Sequence, residues 1–122
     1  MFKIAATLFL AGQALASPAH LEERQSCPGV HIFGARETTV SQGYGSSATV
    51  VNLVLGAYSG STAEAIVYPA CGGQSSCGGI SYANSESQGV AAVGKAVNAF
   101  NTKCPSTKLV LVGYSQVRSS LP

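Results

Sequence analysis

Apolar and polar positions along this chain follow two rhythms. Short apolar runs stand at Val30-His31-Ile32-Phe33, Ala65-Ile66-Val67-Tyr68 and Leu109-Val110-Leu111-Val112. Between them, apolar residues recur three and four apart: Val50, Val51, Val54, Leu55 and Tyr58 in one stretch, Val90, Val93, Val97 and Phe100 in the other. A brief unbroken run suits a strand buried on both faces, and the wider spacing suits an amphipathic helix. The order is therefore β-α-β-α-β. Strands alternating with helices pair in parallel through right-handed crossovers, which leaves helices on both faces of the sheet. The predicted fold class is α/β, a three-layer α/β/α sandwich on a parallel sheet.

Punctuation residues place the boundaries. The first helix is predicted from about Ser46 to Tyr58, with Ser46 or Ser47 as its N-cap, and Gly60-Ser61 breaks it. Pro69 stops the second strand. Ser85-Glu86-Ser87-Gln88 fits a capping box, so the second helix is expected to begin there and run to Cys104, before Pro105. Folds of this kind place their sites at the carboxyl ends of the strands. The loop Gly34–Thr39 and the turn Gly113–Gln116 both fall at such ends.

The beginning of the chain reads differently. Lys3, the apolar run Ile4–Ala11 and the small-x-small triplet Ala14-Leu15-Ala16 make residues 1–16 an expected secretory signal peptide, too short for a membrane span. Residues 17–24, closing on Glu22-Glu23-Arg24, are expected to be a propeptide cut after Arg24. From Gln25 onward the basic residues are Arg36, Lys95, Lys103, Lys108 and Arg118, and the acidic ones Glu37, Glu64 and Glu86. Spread this thinly, they form no basic stripe and give no case for nucleic acid. Cys27, Cys71, Cys77 and Cys104 fit an oxidising compartment and two disulfides. Three connectivities are open. The Gly- and Ser-rich segment between Cys71 and Cys77 can close locally, which leaves Cys27 with Cys104. Zinc is the rival use of these thiols, but the spacing is not C-x2-C and His31 is the single histidine beyond the leader, so no metal is expected.

The third apolar run ends in Gly113-Tyr114-Ser115-Gln116. A buried strand feeding Gly-x-Ser suggests a nucleophile elbow, a sharp turn that exposes a serine hydroxyl at the sheet's edge. Val117 stands where that pattern has its second glycine, and the chain contains no aspartate. A catalytic serine needs a histidine base and a carboxylate, which in elbow hydrolases follow the serine. Six residues follow Gln116, and neither group is among them.

Taken together, several motifs resemble the secreted fungal acetylxylan esterase and cutinase group of α/β hydrolases. They are Cys27-Pro28, Phe33-Gly34-Ala35-Arg36-Glu37-Thr38-Thr39, Tyr68-Pro69-Ala70-Cys71-Gly72-Gly73, Cys77-Gly78-Gly79, Ser87-Gln88-Gly89 and Gly113-Tyr114-Ser115-Gln116. The resemblance covers residues 25–116 as a partial domain and leans toward acetylxylan esterases over cutinases. It implies Ser115 as nucleophile, with an oxyanion hole from the N–H of Gln116 and the N–H and hydroxyl of Thr38. On the residues alone, Thr38 reads as a loop cap. The resemblance favours the same disulfides, Cys71–Cys77 and Cys27–Cys104. It assigns Arg36 and Glu37 a bracing pair, His31 a core or edge place, and Tyr114 a place beside the elbow. No cofactor is implied. The implied protein is an extracellular monomer acting on acetylated xylan or another polymeric ester.

The resemblance stops after Gln116, which makes residues 117–122 an expected non-homologous tail and the chain an expected inactive, truncated form. Gln-Val-Arg can be encoded as CAG-GTR-AGR, the consensus of a splice donor, so a retained intron is the expected cause. Two other readings stand beside deacetylation of xylan. One is a cutinase-like esterase acting on cutin or longer-chain esters; the other is a small, non-catalytic secreted binding protein.

Overall fold

The computed structural model describes residues 27–116. Strands β1 (Val30–Gly34), β2 (Thr62–Ala65) and β3 (Lys108–Val112) alternate with helices α1 (Ala48–Ala57) and α2 (Tyr82–Lys103). The three strands form a parallel sheet in the order β2-β1-β3. Ile32 stands opposite Ala63 on one side and Val110 on the other. This is the α/β architecture that the apolar rhythm predicts.

The pleat of β1 divides the two helices. His31 and Phe33 point to one face, where the His31 ring stacks on Phe100 of α2 at 3.8 Å and Phe33 meets Phe100 edge-on at 6.1 Å. Phe33, Ala35, Ile66, Tyr68, Ala70 and Val93 form the buried cluster there, joined by Ala96, Val97, Leu109 and Leu111. Each large apolar side chain withdrawn from water this way contributes about 1.5–3 kcal/mol. Gly34 points to the opposite face. A Cβ on it would stand 2.7 Å from Tyr44 Cδ1 and 2.8 Å from Val51 Cγ2, so α1 rests directly on the backbone of β1. The sheet is thus covered on both faces.

The amino end of the sheet is fastened by Cys27–Cys104, by Lys108 N–H donating to the Gly29 carbonyl at 3.0 Å, and by the Thr107 hydroxyl donating to the Pro28 carbonyl at 2.7 Å. His31 is buried in the central strand, its ring nitrogens 2.6 Å from Thr62 Oγ1 and 2.8 Å from Glu64 Oε2. It is a core residue rather than an edge one.

Several expected boundaries shift. The second strand covers Thr62–Ala65, where the apolar run suggested Ala65–Tyr68. Pairing with β1 sets its span, and its polar residues Thr62 and Glu64 serve His31. The ladder reaches only as far as Ile66, whose N–H donates to the Gly34 carbonyl. Helix α2 begins three residues before the expected capping box. Ser81 is its N-cap and accepts from the Asn84 N–H at 3.1 Å, while Ser85 is fully buried inside the first turn. Val90 is half exposed; the core-facing stripe of α2 comprises Ala92, Val93, Ala96, Val97 and Phe100. Neither serine expected at the start of α1 caps it through its side chain. The Ser47 hydroxyl donates to the Ala35 carbonyl at 2.8 Å, and Ser46 binds Glu37. The expected leader, propeptide and tail lie outside the described residues.

Candidate active site

Two connections and one turn converge at the carboxyl end of the sheet. The first is the loop after β1. Its Arg36 side chain is buried and spends its donors on the Val40 carbonyl (2.6 Å), Gln42 Oε1 (2.9 Å) and the Pro69 carbonyl (3.1 Å). The Tyr68 hydroxyl donates to the Arg36 carbonyl at 2.7 Å, and the Arg36 guanidinium lies 5.2 Å from the Tyr68 ring centre. Burial lowers the pKa of Arg36 from its ordinary value and pushes that of Tyr68 up to about 12, although the Arg36 charge pulls the tyrosine the other way. Glu37 does not pair with Arg36. Adjacent side chains on extended backbone point apart, and Glu37 instead accepts from the Ser46 N–H and hydroxyl, which hold its carboxyl below the usual range. Both residues brace the loop, each with a different partner.

That bracing delivers Thr38 and Thr39 to the sheet's edge. Thr39 has φ of +70° and donates its N–H to the carbonyl of Ala70, itself at φ +50°. The second connection, Cys71 onward, is closed by the Cys71–Cys77 disulfide and organised around Gln74. Gly72 belongs here because a Cβ on it would lie 3.2 Å from the Thr38 methyl carbon.

The turn after β3 supplies the remainder. Ala35 N–H donates to the Val112 carbonyl at 3.1 Å, which carries the pairing one residue past Gly34. Ser115 then takes φ of +61°, the left-handed conformation that non-glycine residues rarely adopt. With Thr39 and Ala70, it makes three such residues at one end of the sheet, a concentration of strain characteristic of functional sites. Ser115 and Tyr114 face outward, Tyr114 being more than half exposed and not packed away beside the elbow. Gln116 turns inward and is completely buried.

Its side-chain amide is the hub of the site. Nε2 donates to Thr38 Oγ1 at 3.2 Å and to the Cys71 carbonyl at 3.1 Å, while Oε1 accepts from the Ser85 hydroxyl at 2.6 Å. Ser85 Oγ in turn accepts from the Cys71 N–H at 2.9 Å. The structure thus brings together Ser115, Gln116 and Thr38, and adds Ser85 and Cys71, which sequence reasoning did not assign to the site. A signal for Ser85 was present: Ser85, Gly89 and Val93 recur every four residues as the buried positions of α2.

His31 stands apart. It is paired in register with Leu109, and the three strand residues from there to Val112 span roughly 10 Å. Its ring already contacts Thr62, Glu64 and Phe100. Among the described residues no group of three His, Cys, Asp or Glu is placed to hold a metal ion, and no helix is long and apolar enough to cross a membrane.

The Cutinase family model matches residues 26–118. Over 109 residues the chain is 72% identical to "Cutinase 11" of Verticillium dahliae, an alignment covering 89% of this chain and 37% of that protein. Against "Acetylxylan esterase 2" of Talaromyces purpureogenus it is 67% identical over 112 residues, or 92% of this chain and 48% of the relative. Among solved structures, the catalytic core domain of acetyl xylan esterase from Trichoderma reesei superposes with a TM-score of 0.72 at 72% identity, covering 74% of this chain and 44% of that one. The chain spans less than half the length of these relatives.

Proposed function

We propose that this chain, which belongs to the cutinase family, carries the nucleophile and oxyanion pocket of a secreted serine esterase acting on acetylated xylan. The observation that supports this most is the left-handed backbone of Ser115, directly after β3, beside a buried Gln116 amide bonded to Thr38. In the reaction, Ser115 Oγ attacks the acetyl carbonyl and gives its proton to a base. The carbonyl oxygen becomes an oxyanion, met by the Gln116 N–H and by the N–H and hydroxyl of Thr38. Collapse expels the sugar hydroxyl, and water then releases acetate from the acetyl-serine. Each preorganised donor in such a pocket is worth about 2.7–4 kcal/mol.

The base and its carboxylate partner are proposed to come from residues other than those described here. His31 is unsuited to the role, being engaged at the far end of β1. Residues 27–116 alone are accordingly expected to hydrolyse esters at background rate. Its two disulfides suit an oxidising, extracellular setting.

A cutinase-like preference is the second reading, favoured by the 72% identity to a protein named as a cutinase. The test uses a complete esterase in which residues 27–116 of this chain replace the matching segment of the solved catalytic core. We expect release of acetate from acetylated xylan, lost on Ser115→Ala. Faster turnover of long-chain esters than of acetyl esters would favour the second reading. Wild-type turnover in the alanine variant would remove Ser115 from the chemistry.

A further inference from the structure

We propose that Ser85 is a positioning residue for ester hydrolysis: its hydroxyl locks the Gln116 amide so that Thr38 presents its own hydroxyl proton to the oxyanion. The proposal rests on the reading of Thr38 as an oxyanion donor.

The direction of every bond in this network follows from which groups can only give and which can only accept. The Cys71 N–H can only donate, so Ser85 Oγ, at 2.9 Å, accepts from it. The Cys71 carbonyl can only accept, so the Gln116 atom facing it at 3.1 Å is Nε2, which settles the orientation of the amide. Oε1 therefore faces Ser85, and the single Ser85 proton goes to it at 2.6 Å. The second Nε2 proton goes to Thr38 Oγ1 at 3.2 Å. Thr38 thus receives a hydrogen bond and keeps its own proton, and among the described residues no acceptor takes that proton.

The arrangement is closed on one residue. The N–H and the carbonyl of Cys71 hold the two ends of a path that runs through Ser85 and Gln116, and both side chains are fully buried. Water cannot readily substitute for either. Without the Ser85 hydroxyl, Oε1 loses its donor, and the Cys71 carbonyl alone is left to hold Nε2 toward Thr38. An amide turned over would place Oε1 against Thr38, which would then donate to Gln116 and not to substrate. Ser85 lies on α2 and reaches Thr38 through the Gln116 amide, while its oxygen also holds the Cys71 N–H.

The experiment is a double-mutant cycle in the complete esterase carrying residues 27–116, with active sites counted by covalent labelling of Ser115. Thr38→Val is expected to lower kcat by about 10²–10³, the usual cost of one oxyanion donor. Ser85→Ala is expected to lower kcat roughly tenfold or more with KM little changed, and to cost almost nothing further in the Thr38→Val background, as coupled residues do. Gln116→Met, neutral and of similar size, should behave like Ser85→Ala. It carries the test if Ser85→Ala fails to fold. Independent, multiplicative losses with a costly Thr38→Val would overturn the relay and leave the oxyanion reading standing. So would Ser85→Ala or Gln116→Met at wild-type kcat. Wild-type kcat in Thr38→Val would remove both.

Discussion

The side-chain amide of Gln116 donates to the hydroxyl of Thr38 at 3.2 Å, joining residues 78 positions apart in the chain. This bond ties the turn after β3 to the loop after β1. Two connections from neighbouring strands are thereby tied together beside Ser115. The surrounding residues hold that junction in ways that can be measured.

Glu37 secures the loop through Ser46, and those bonds hold its carboxyl below the ordinary range. A carboxylate whose pKa is lowered on folding lends stability at pH values above its unfolded pKa of about 4.3, and that stability is lost as pH falls through the folded value. Glu37→Gln is therefore expected to lower stability at neutral pH, to converge with the parent protein as pH falls, and so to flatten the acid limb of the stability profile. Denaturant melts of the complete esterase between pH 7 and pH 3 would check this. An unchanged acid limb would show that Glu37 contributes nothing.

Tyr68 predicts the opposite limb. Burial pushes its pKa up to about 12, whereas in an unfolded chain it ionises near about 10. Its contribution is full below the unfolded value and disappears as pH climbs between the two. Tyr68→Phe should remove this alkaline loss. It should also cost about 1 kcal/mol at neutral pH, because the hydrogen bond to the Arg36 carbonyl goes with the hydroxyl. Melts from pH 8 to pH 12 would separate the two effects.

Gly34 is where α1 lies closest to the sheet. A Cβ there would meet Tyr44 and Val51 at under 3 Å, and Val51 is fully buried, with little room to withdraw. Gly34→Ala is expected to destabilise the fold by about 1–3 kcal/mol, the usual range for overpacking. Equilibrium unfolding measures it directly, and a loss below a few tenths would mean that α1 is more loosely seated than described.

Much of this was legible in the sequence, because some signals are local and others are not. The strand-turn at Leu109–Gln116 and the β-α-β-α-β order depend on runs and spacings that the chain displays directly. Ser85 was misread for a physical reason. Ser-x-x-Gln is a local capping signature, yet the true partner of this serine is Gln116, 31 residues away. The apolar run Ala65–Tyr68 marks the second strand too late because it reports burial, while strand limits are set by pairing. Ile66, Tyr68 and Ala70 are buried after the strand ends, and the polar residues Thr62 and Glu64 are inside it because His31 binds them. The expected Arg36–Glu37 pair does not form, because the two side chains reach different partners, Arg36 the Val40 and Pro69 carbonyls and Gln42, Glu37 the Ser46 N–H and hydroxyl.

The most direct measurement is the site of covalent attack. The complete esterase carrying residues 27–116 would be treated with a phosphonate ester that traps activated serines, then digested and mapped by mass spectrometry. The expected result is one adduct per molecule on Ser115, formed far more slowly when Thr38 is replaced by Val. An adduct on another residue, or labelling of Ser115 at an equal rate in both proteins, would contradict a nucleophile served by the Thr38–Gln116 pocket.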